Sequence, residues 1–74
     1  MMNYDEQKAL TDSLRAGSRL QYSTSETAFF LQLREDTLRA WACFNKGPIQ
    51  PRKIGNRLAW MADDIRKLMG MEAA

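Results

Sequence analysis

The segment "GPIQP", residues 47–51, constrains the fold of this 74-residue chain more than any other stretch. Pro48 and Pro51 lack the backbone N–H that a helix interior uses, and their rings clash with the preceding turn. Gly47 adopts a positive φ at little cost and is predicted to cap the helix that ends here. The chain must therefore leave helical structure at this point, so the residues before and after it belong to separate elements.

The segment that follows, "RKIGNRLAW" at residues 52–60, has the pattern of a β-hairpin. Gly55 and Asn56 predict a tight two-residue turn between two short alternating strands. The alternation predicts an apolar inner face and a mostly polar outer face. The inner face comprises Ile54, Leu58 and Trp60, with Arg52 on the same side, and the outer face comprises Lys53, Arg57 and Ala59.

Two helices are predicted before the proline-containing segment. In "STSETAFFL" the spacing from Ser23 to Glu26 fits a capping box, and this helix is expected to end near residues 32–34. In "REDTLRAWACF" apolar positions recur at spacings of three and four. The predicted inward residues are Ala28, Phe30 and Leu31 in the first helix and Leu38, Trp41, Ala42 and Phe44 in the second. Two short helices separated by three or four residues make a helix-turn-helix.

A further helix is predicted at each end of the chain. Residues 4–15 begin with two acidic side chains, carry Leu10 and Leu14 one turn apart, and are followed by Gly17 as a stop. The segment "LQYSTSE" then follows as a short extended entry. The last helix, in "ADDIRKLMGM", is expected to end at Gly70. Its predicted inward residues are Ile65, Leu68 and Met69.

Composition excludes several classes of function. Histidine is absent, which removes an imidazole base and a Cys/His zinc site. The single cysteine, Cys43, cannot form an internal disulfide and is expected to be a small packing residue. No apolar run approaches the roughly 20 residues of a membrane helix, and the N-terminus is polar. We therefore expect a cytoplasmic protein that is not an enzyme and uses no cofactor or metal.

The positive charge is concentrated in the middle of the chain. Residues 34–60 carry six cationic and two acidic side chains, whereas the flanking segments each carry one more acid than base. Such a layout is typical of a surface that faces a polyanion. Charge alone leaves open an ordinary solvated basic face.

Four separated segments also occur in a characteristic order: "STSETAFFL", "DTLRAW", "PRKIGNRLAW" and "DDI", which span about residues 22–69. In these segments the chain resembles the small MerR-like, excisionase-type DNA-binding domains. Two positions depart from that family's pattern, since Gln32 stands where a Gly is common and Arg34 where a capping Ser is common. Because Arg34 cannot accept amide hydrogen bonds, we expect Glu35 and Asp36 to compensate the helix dipole instead.

The resemblance implies a mainly α fold with a small β-hairpin, namely a winged helix-turn-helix with an extra N-terminal helix. Residues 1–20 would be an N-terminal helical extension, 21–70 the DNA-binding domain and 71–74 a tail. Members of the family are small prophage, plasmid or integrative-element proteins. The predicted function is sequence-specific binding of double-stranded DNA in the bacterial nucleoid, as an excisionase (recombination directionality factor) or a transcriptional regulator. The candidate protein partners are an integrase, RNA polymerase and further copies of the chain on DNA.

Candidate DNA contacts follow from placing the second helix of the helix-turn-helix in the major groove. Arg39 is the best base reader, because its fork matches the two acceptors of guanine, and Thr37 can reach a phosphate or a thymine methyl. Asp36 either accepts from a cytosine amino group or, as we favour, stabilises the helix start. The hairpin and the loop before it are expected to meet phosphates or the minor groove. The predicted DNA-binding residues are Arg34, Asp36, Thr37, Arg39, Ala40, Lys46, Lys53, Asn56 and Arg57.

The aromatic residues leave alternatives open. Trp41 and Trp60 are stacking platforms for single strands or, as we favour, core residues. Phe29 is covered by Leu10 and Leu14, which we favour, or it binds another copy. A different class of function, a protein-interaction adaptor or inhibitor on a winged-helix scaffold, would use the Phe29 side as its interface and leave the hairpin dispensable.

Overall fold

A computed structural model describes residues 3–70 as a mostly helical chain with a small antiparallel sheet. In chain order the elements are α1 (Tyr4–Ala16), β1 (Gln21–Tyr22), α2 (Thr24–Leu31), α3 (Glu35–Phe44), β2 (Arg52–Ile54), β3 (Arg57–Met61) and α4 (Ala62–Met69). The four predicted helices are confirmed. The predicted tail, 71–74, lies outside the described residues. In the described part of the chain, no helix is long and apolar enough to cross a membrane.

The helix ends follow local side-chain chemistry. At the start of α2 the Ser23 hydroxyl accepts from the Glu26 amide at 3.1 Å, and the Glu26 carboxylate accepts from the Ser23 amide at 2.9 Å. This confirms the predicted capping box. Gly17 and Gly70 end α1 and α4 in the left-handed conformation, also as predicted.

The predicted cap of α3 is wrong by two residues. Asn45, not Gly47, occupies the left-handed position, with φ of 54°, and its amide donates to the Trp41 carbonyl. Asparagine takes this position because its short polar side chain tolerates the left-handed region. Gly47 has φ of 85° in the following loop, where a Cβ would collide with the Trp41 ring. The glycine therefore serves the close approach of the loop to α3.

The sheet has three strands in the order β1-β3-β2. The tight Gly55-Asn56 turn between β2 and β3 is confirmed. The extended entry after α1 is itself a strand, and Tyr22 of β1 lies opposite Trp60 of β3. Two residues are too short for an alternating pattern, so the sequence predicted only an extended segment here.

The predicted faces of the hairpin are partly wrong. Lys53 pairs with Leu58, and Ile54 pairs with Arg57. Directly opposite residues share a face, so Ile54 lies on the side of Arg57 rather than that of Leu58. Across a two-residue turn, each even-numbered residue of one strand pairs with an odd-numbered residue of the other. The even-numbered residues before the turn therefore share a face with the odd-numbered residues after it. Ile54 is accordingly 52% exposed. Ala59 lies on the same face as Arg57 but is only 6% exposed, because both faces of β3 are buried where Ala59 and Trp60 meet the core.

One hydrophobic core joins all four helices to the sheet. Its buried members are Leu10, Leu14, Tyr22, Ala28, Phe30, Leu38, Trp60, Ala62 and Ile65. Trp60 is completely buried, and its indole N–H donates to the Thr24 hydroxyl at 3.0 Å. Trp41 and Phe29 are half-buried and pack against this core. Core packing is therefore the interpretation that holds for both tryptophans, and Phe29 packs against the same core. Its cover by Leu10 and Leu14 in particular stays a prediction.

Helix α1 is tied into this core by polar contacts as well as by leucines. The Ser13 and Tyr22 hydroxyls are hydrogen-bonded at 2.8 Å. The Arg66 guanidinium, from α4, donates to the Leu14 carbonyl at 3.0 Å and also pairs with Asp63. The N-terminal helix thus shares its core with the elements that follow.

Several residues predicted to pack inward are exposed. At about 100° per residue, Cys43 and Phe44 lie roughly 140° and 120° from Leu38, the buried centre of the α3 face. Phe44 is 67% exposed and Cys43 is exposed, so neither is a packing residue. Leu68 and Met69 are each 40% exposed, because they lie at the end of α4 beyond the core that Ile65 reaches.

Candidate nucleic-acid interface

The turn between α2 and α3 fixes the direction of α3. Gln32 adopts the left-handed conformation with φ of 56°, and the next amide, of Leu33, donates to the Ala28 carbonyl at 3.0 Å. Three residues later α3 begins, and its Leu38 is completely buried. With one face of α3 held in the core, the opposite face has a defined direction.

The exposed face of α3 carries most of the predicted base-reading residues. Arg34, Asp36, Arg39 and Ala40 are exposed, and Thr37 is half-buried. Arg34 is the N-cap and makes no side-chain capping hydrogen bond, as its chemistry predicts. The acidic side chains in the first turn of α3 lie where the helix dipole favours them.

The Arg39 guanidinium is paired within its own helix. One terminal nitrogen lies 3.3 Å from a Glu35 carboxylate oxygen, and the other lies 3.4 Å from an Asp36 carboxylate oxygen. These contacts were not predicted from the sequence. The signal was present, because acidic residues three and four positions before an arginine are neighbours on a helix surface.

The remaining predicted contacts lie on the hairpin and the loop before it. Lys46, Lys53, Asn56 and Arg57 are all exposed. The register places Lys53 and Arg57 on opposite faces of the hairpin, so they flank its tip instead of sharing one outer face. Arg52, predicted to point inward, is exposed as well.

Five cationic side chains of this region share one property. Each is exposed and makes no ion pair with another residue of the described part of the chain. They are Arg34, Lys46, Arg52, Lys53 and Arg57. Their charges are therefore available to an external partner.

A groove of about 900 Å³ lies between α1 and the hairpin. Arg57 reaches its rim, and the other cation that lines it, Arg19, forms a two-point ion pair with Glu26 at 3.1 Å. The Arg19 guanidinium also lies 4.5 Å from the centre of the Tyr22 ring. This arginine is committed to internal contacts, so of the two cations that line the groove only Arg57 makes no ion pair with another described residue.

Within residues 3–70 no three His, Cys, Asp or Glu side chains come together as a potential metal site. Comparison with known proteins adds no assignment, since no family profile, curated protein or solved structure matches the chain. The family resemblance therefore rests on the four sequence segments alone.

Proposed function

We propose that this chain is a sequence-specific double-stranded DNA-binding protein with a winged helix-turn-helix architecture. In this proposal α3 enters the major groove and the hairpin lies beside it as the wing. The observation that carries it is the set of five exposed cations without ion-pair partners among the described residues, located at the N-cap of α3, in the loop after α3 and on the hairpin. Exposed, unneutralised cations on adjoining elements are what a phosphate backbone attracts.

In this proposal α3 and the hairpin make different kinds of DNA contact. The face of α3 presents Thr37, Arg39 and Ala40, whose side chains suit base edges in the major groove. Lys53 and Arg57 flank the hairpin tip, which suits two neighbouring phosphates on either side of a groove. Base contacts then supply specificity and phosphate contacts supply register and affinity.

A single module of this size buries only about 600–1,000 Å² on DNA, so binding of several copies to adjacent sites is part of the proposal. The family resemblance supports a mobile-element role, either as an excisionase that bends DNA for an integrase or as a transcriptional regulator. Repeated direct sites beside an integrase gene would favour the first role. The protein-adaptor alternative gains no support, because its anchor, Phe29, is half-buried against the core.

The test is a salt-dependent titration of duplex DNA with the wild type, Arg39→Ala and Arg57→Ala. The slope of log affinity against log salt should be steep for the wild type and shallower by about 1 for Arg57→Ala, and Arg39→Ala should lose discrimination between sequences. Arg15→Ala is the matched control, because it removes an exposed arginine from α1. If no protein binds duplex DNA at low salt, the proposal is wrong.

A further inference from the structure

We infer that Glu35 and Asp36 are specificity-determining residues that act on and beside Arg39, and that together they select a base step containing a G·C pair. The inference rests on the proposed DNA binding by α3. Its starting point is the two-point pairing of Arg39, with nitrogen to oxygen distances of 3.3 Å to Glu35 and 3.4 Å to Asp36. We call these three side chains the α3 acid-arginine cluster.

In the free protein, the α3 acid-arginine cluster lies on the surface and is held together only weakly. All three side chains are well exposed, with Arg39 at 60%. Exposed pairs of this spacing are weak, and each changes an equilibrium constant by only about two-fold. The pairing therefore orients the guanidinium over the first turn of α3 without locking it there.

The paired side chains of the cluster keep hydrogen-bonding groups free for DNA bases. A guanidinium has five N–H donors, and the two carboxylates occupy only two of them. The remaining donors can still reach guanine N7 and O6. Each carboxylate keeps free lone pairs, which in the major groove match the amino group of cytosine. The cluster thus offers donors and acceptors side by side. A G·C pair presents the complementary groups, namely two acceptors on guanine and an amino donor on cytosine.

The two carboxylates of the cluster also affect binding to DNA sites that lack the selected base step. At a random site the carboxylates come close to phosphates without an amino group to accept, and like charges repel. The cluster therefore weakens binding to random DNA more than binding to a matching site. Without its acids, Arg39 would become one more phosphate-binding cation, which raises affinity but carries no sequence information.

The experiment begins with selection of duplexes from a random pool by the wild-type protein. Affinities for one selected and one random duplex are then measured at a fixed salt concentration for the wild type, Glu35→Gln and Asp36→Asn. Both variants should bind the random duplex roughly three-fold to ten-fold more tightly, by the loss of one negative charge near phosphates. The affinity of both variants for the selected duplex should stay level or fall. The sites that the wild type selects should contain a G·C pair, and Asp36→Asn should no longer require that pair.

Asp5→Asn is the matched control, since Asp5 is the second residue of α1 as Asp36 is the second residue of α3. It makes the same charge change and should shift both duplexes equally. If Glu35→Gln and Asp36→Asn also shift both duplexes equally, the acids act only through net charge and the inference is overturned while DNA binding stands. If the wild type selects no duplex and binds none at low salt, both proposals are wrong.

Discussion

Gln32 holds the turn between α2 and α3 in a conformation that glycine adopts more readily. Its φ of 56° and ψ of 43° are left-handed, which costs a non-glycine residue about 1–2 kcal/mol. Gln32→Gly should therefore raise the free energy of unfolding by about 0.5–1 kcal/mol, after the extra entropy of glycine in the unfolded chain is taken into account. Urea unfolding measures the change.

Asn45→Gly provides the comparison, because Asn45 has nearly the same backbone conformation at the end of α3. Asparagine tolerates the left-handed region better than glutamine does, so its replacement should stabilise less. Equal gains at the two positions would show that glutamine is no more strained here than asparagine, and a loss at Gln32 would show that the turn is not strained.

Glu26 links the start of α2 to Arg19 and makes stability depend on pH. Burial acts to raise the pKa of the Glu26 carboxyl, but hydrogen bonds from Arg19 and Ser23, together with the Arg19 charge, outweigh it and hold the pKa below 4.5. The unfolded chain therefore binds this proton more readily than the folded one. The carboxylate's contribution is complete above about pH 4.5 and is lost as pH falls through the folded pKa.

Glu26→Gln should lower the free energy of unfolding at pH 7 by about 0.5–1 kcal/mol, because the amide can still accept at the cap but cannot pair with Arg19. It should also flatten the fall of stability below pH 4.5. The measurement is urea unfolding at a series of pH values. Glu6→Gln is the control, since Glu6 occupies the same third position of α1 without a reciprocal capping bond. If the two variants have parallel pH profiles, the proposed role of Glu26 fails.

At the scale of elements, the start of α3 lacks a side-chain cap, as does the start of α4 at Met61. Arg34 occupies the N-cap and accepts no amide hydrogen bond. Arg34→Ser should raise the free energy of unfolding by about 1 kcal/mol. In a chain of this size that corresponds to an increase of about 4–8 °C in Tm. The same change removes a proposed phosphate contact, so DNA affinity should fall while stability rises.

Arg34→Ala separates the two effects. It removes the same charge without supplying a cap, so it should weaken DNA binding as Arg34→Ser does but leave Tm without the increase. Thermal unfolding and a DNA titration of both variants give the four values required. A Tm increase with alanine would mean that loss of the arginine, not gain of a cap, stabilises α3.

The helices and the hairpin could be predicted from sequence because their signals are local. A capping box, helical spacing and a Gly-Asn turn each lie within a few residues. The alternating pattern of each strand does not show which residues of β2 share a face with which residues of β3. That depends on the register in which the two strands pair across the turn. That is why Ile54 was assigned to the wrong face and why Lys53 and Arg57 separate. The burial of Ala59 has another cause, since β3 is covered on both of its faces at Ala59 and Trp60.

The same distinction applies to the candidate site. Its predicted side chains, apart from the half-buried Thr37, lie exposed on the predicted elements. The pairing of Arg39 with Glu35 and Asp36 depends on side-chain rotamers, which spacing permits but does not fix. Exposure could be predicted from helical position, whereas the state of the guanidinium required coordinates.

At the scale of the whole molecule, β1 and α1 show what a short sequence leaves undetermined. Tyr22 pairs with Trp60 far along the chain, and its hydroxyl bonds to Ser13 on α1. Arg66 adds a second link, from α4 to the end of α1. These are tertiary contacts between distant residues, which no local pattern specifies. They make the N-terminal helix part of the body that holds α3 in place.

Leu14 tests this dependence most directly, because it is 0% exposed and lies in the same core as Trp60 and Ile65. Leu14→Ala should lower the free energy of unfolding by about 3 kcal/mol, through lost burial and the cavity left behind. A core this small supplies only about 3–5 kcal/mol, so the variant should be close to unfolded at 25 °C and should lose the proposed DNA binding with its fold. Leu20→Ala, at a 79% exposed position, should change stability by less than about 0.5 kcal/mol. Urea unfolding followed by tryptophan fluorescence compares the two, and equal effects would show that α1 is not part of the cooperative core.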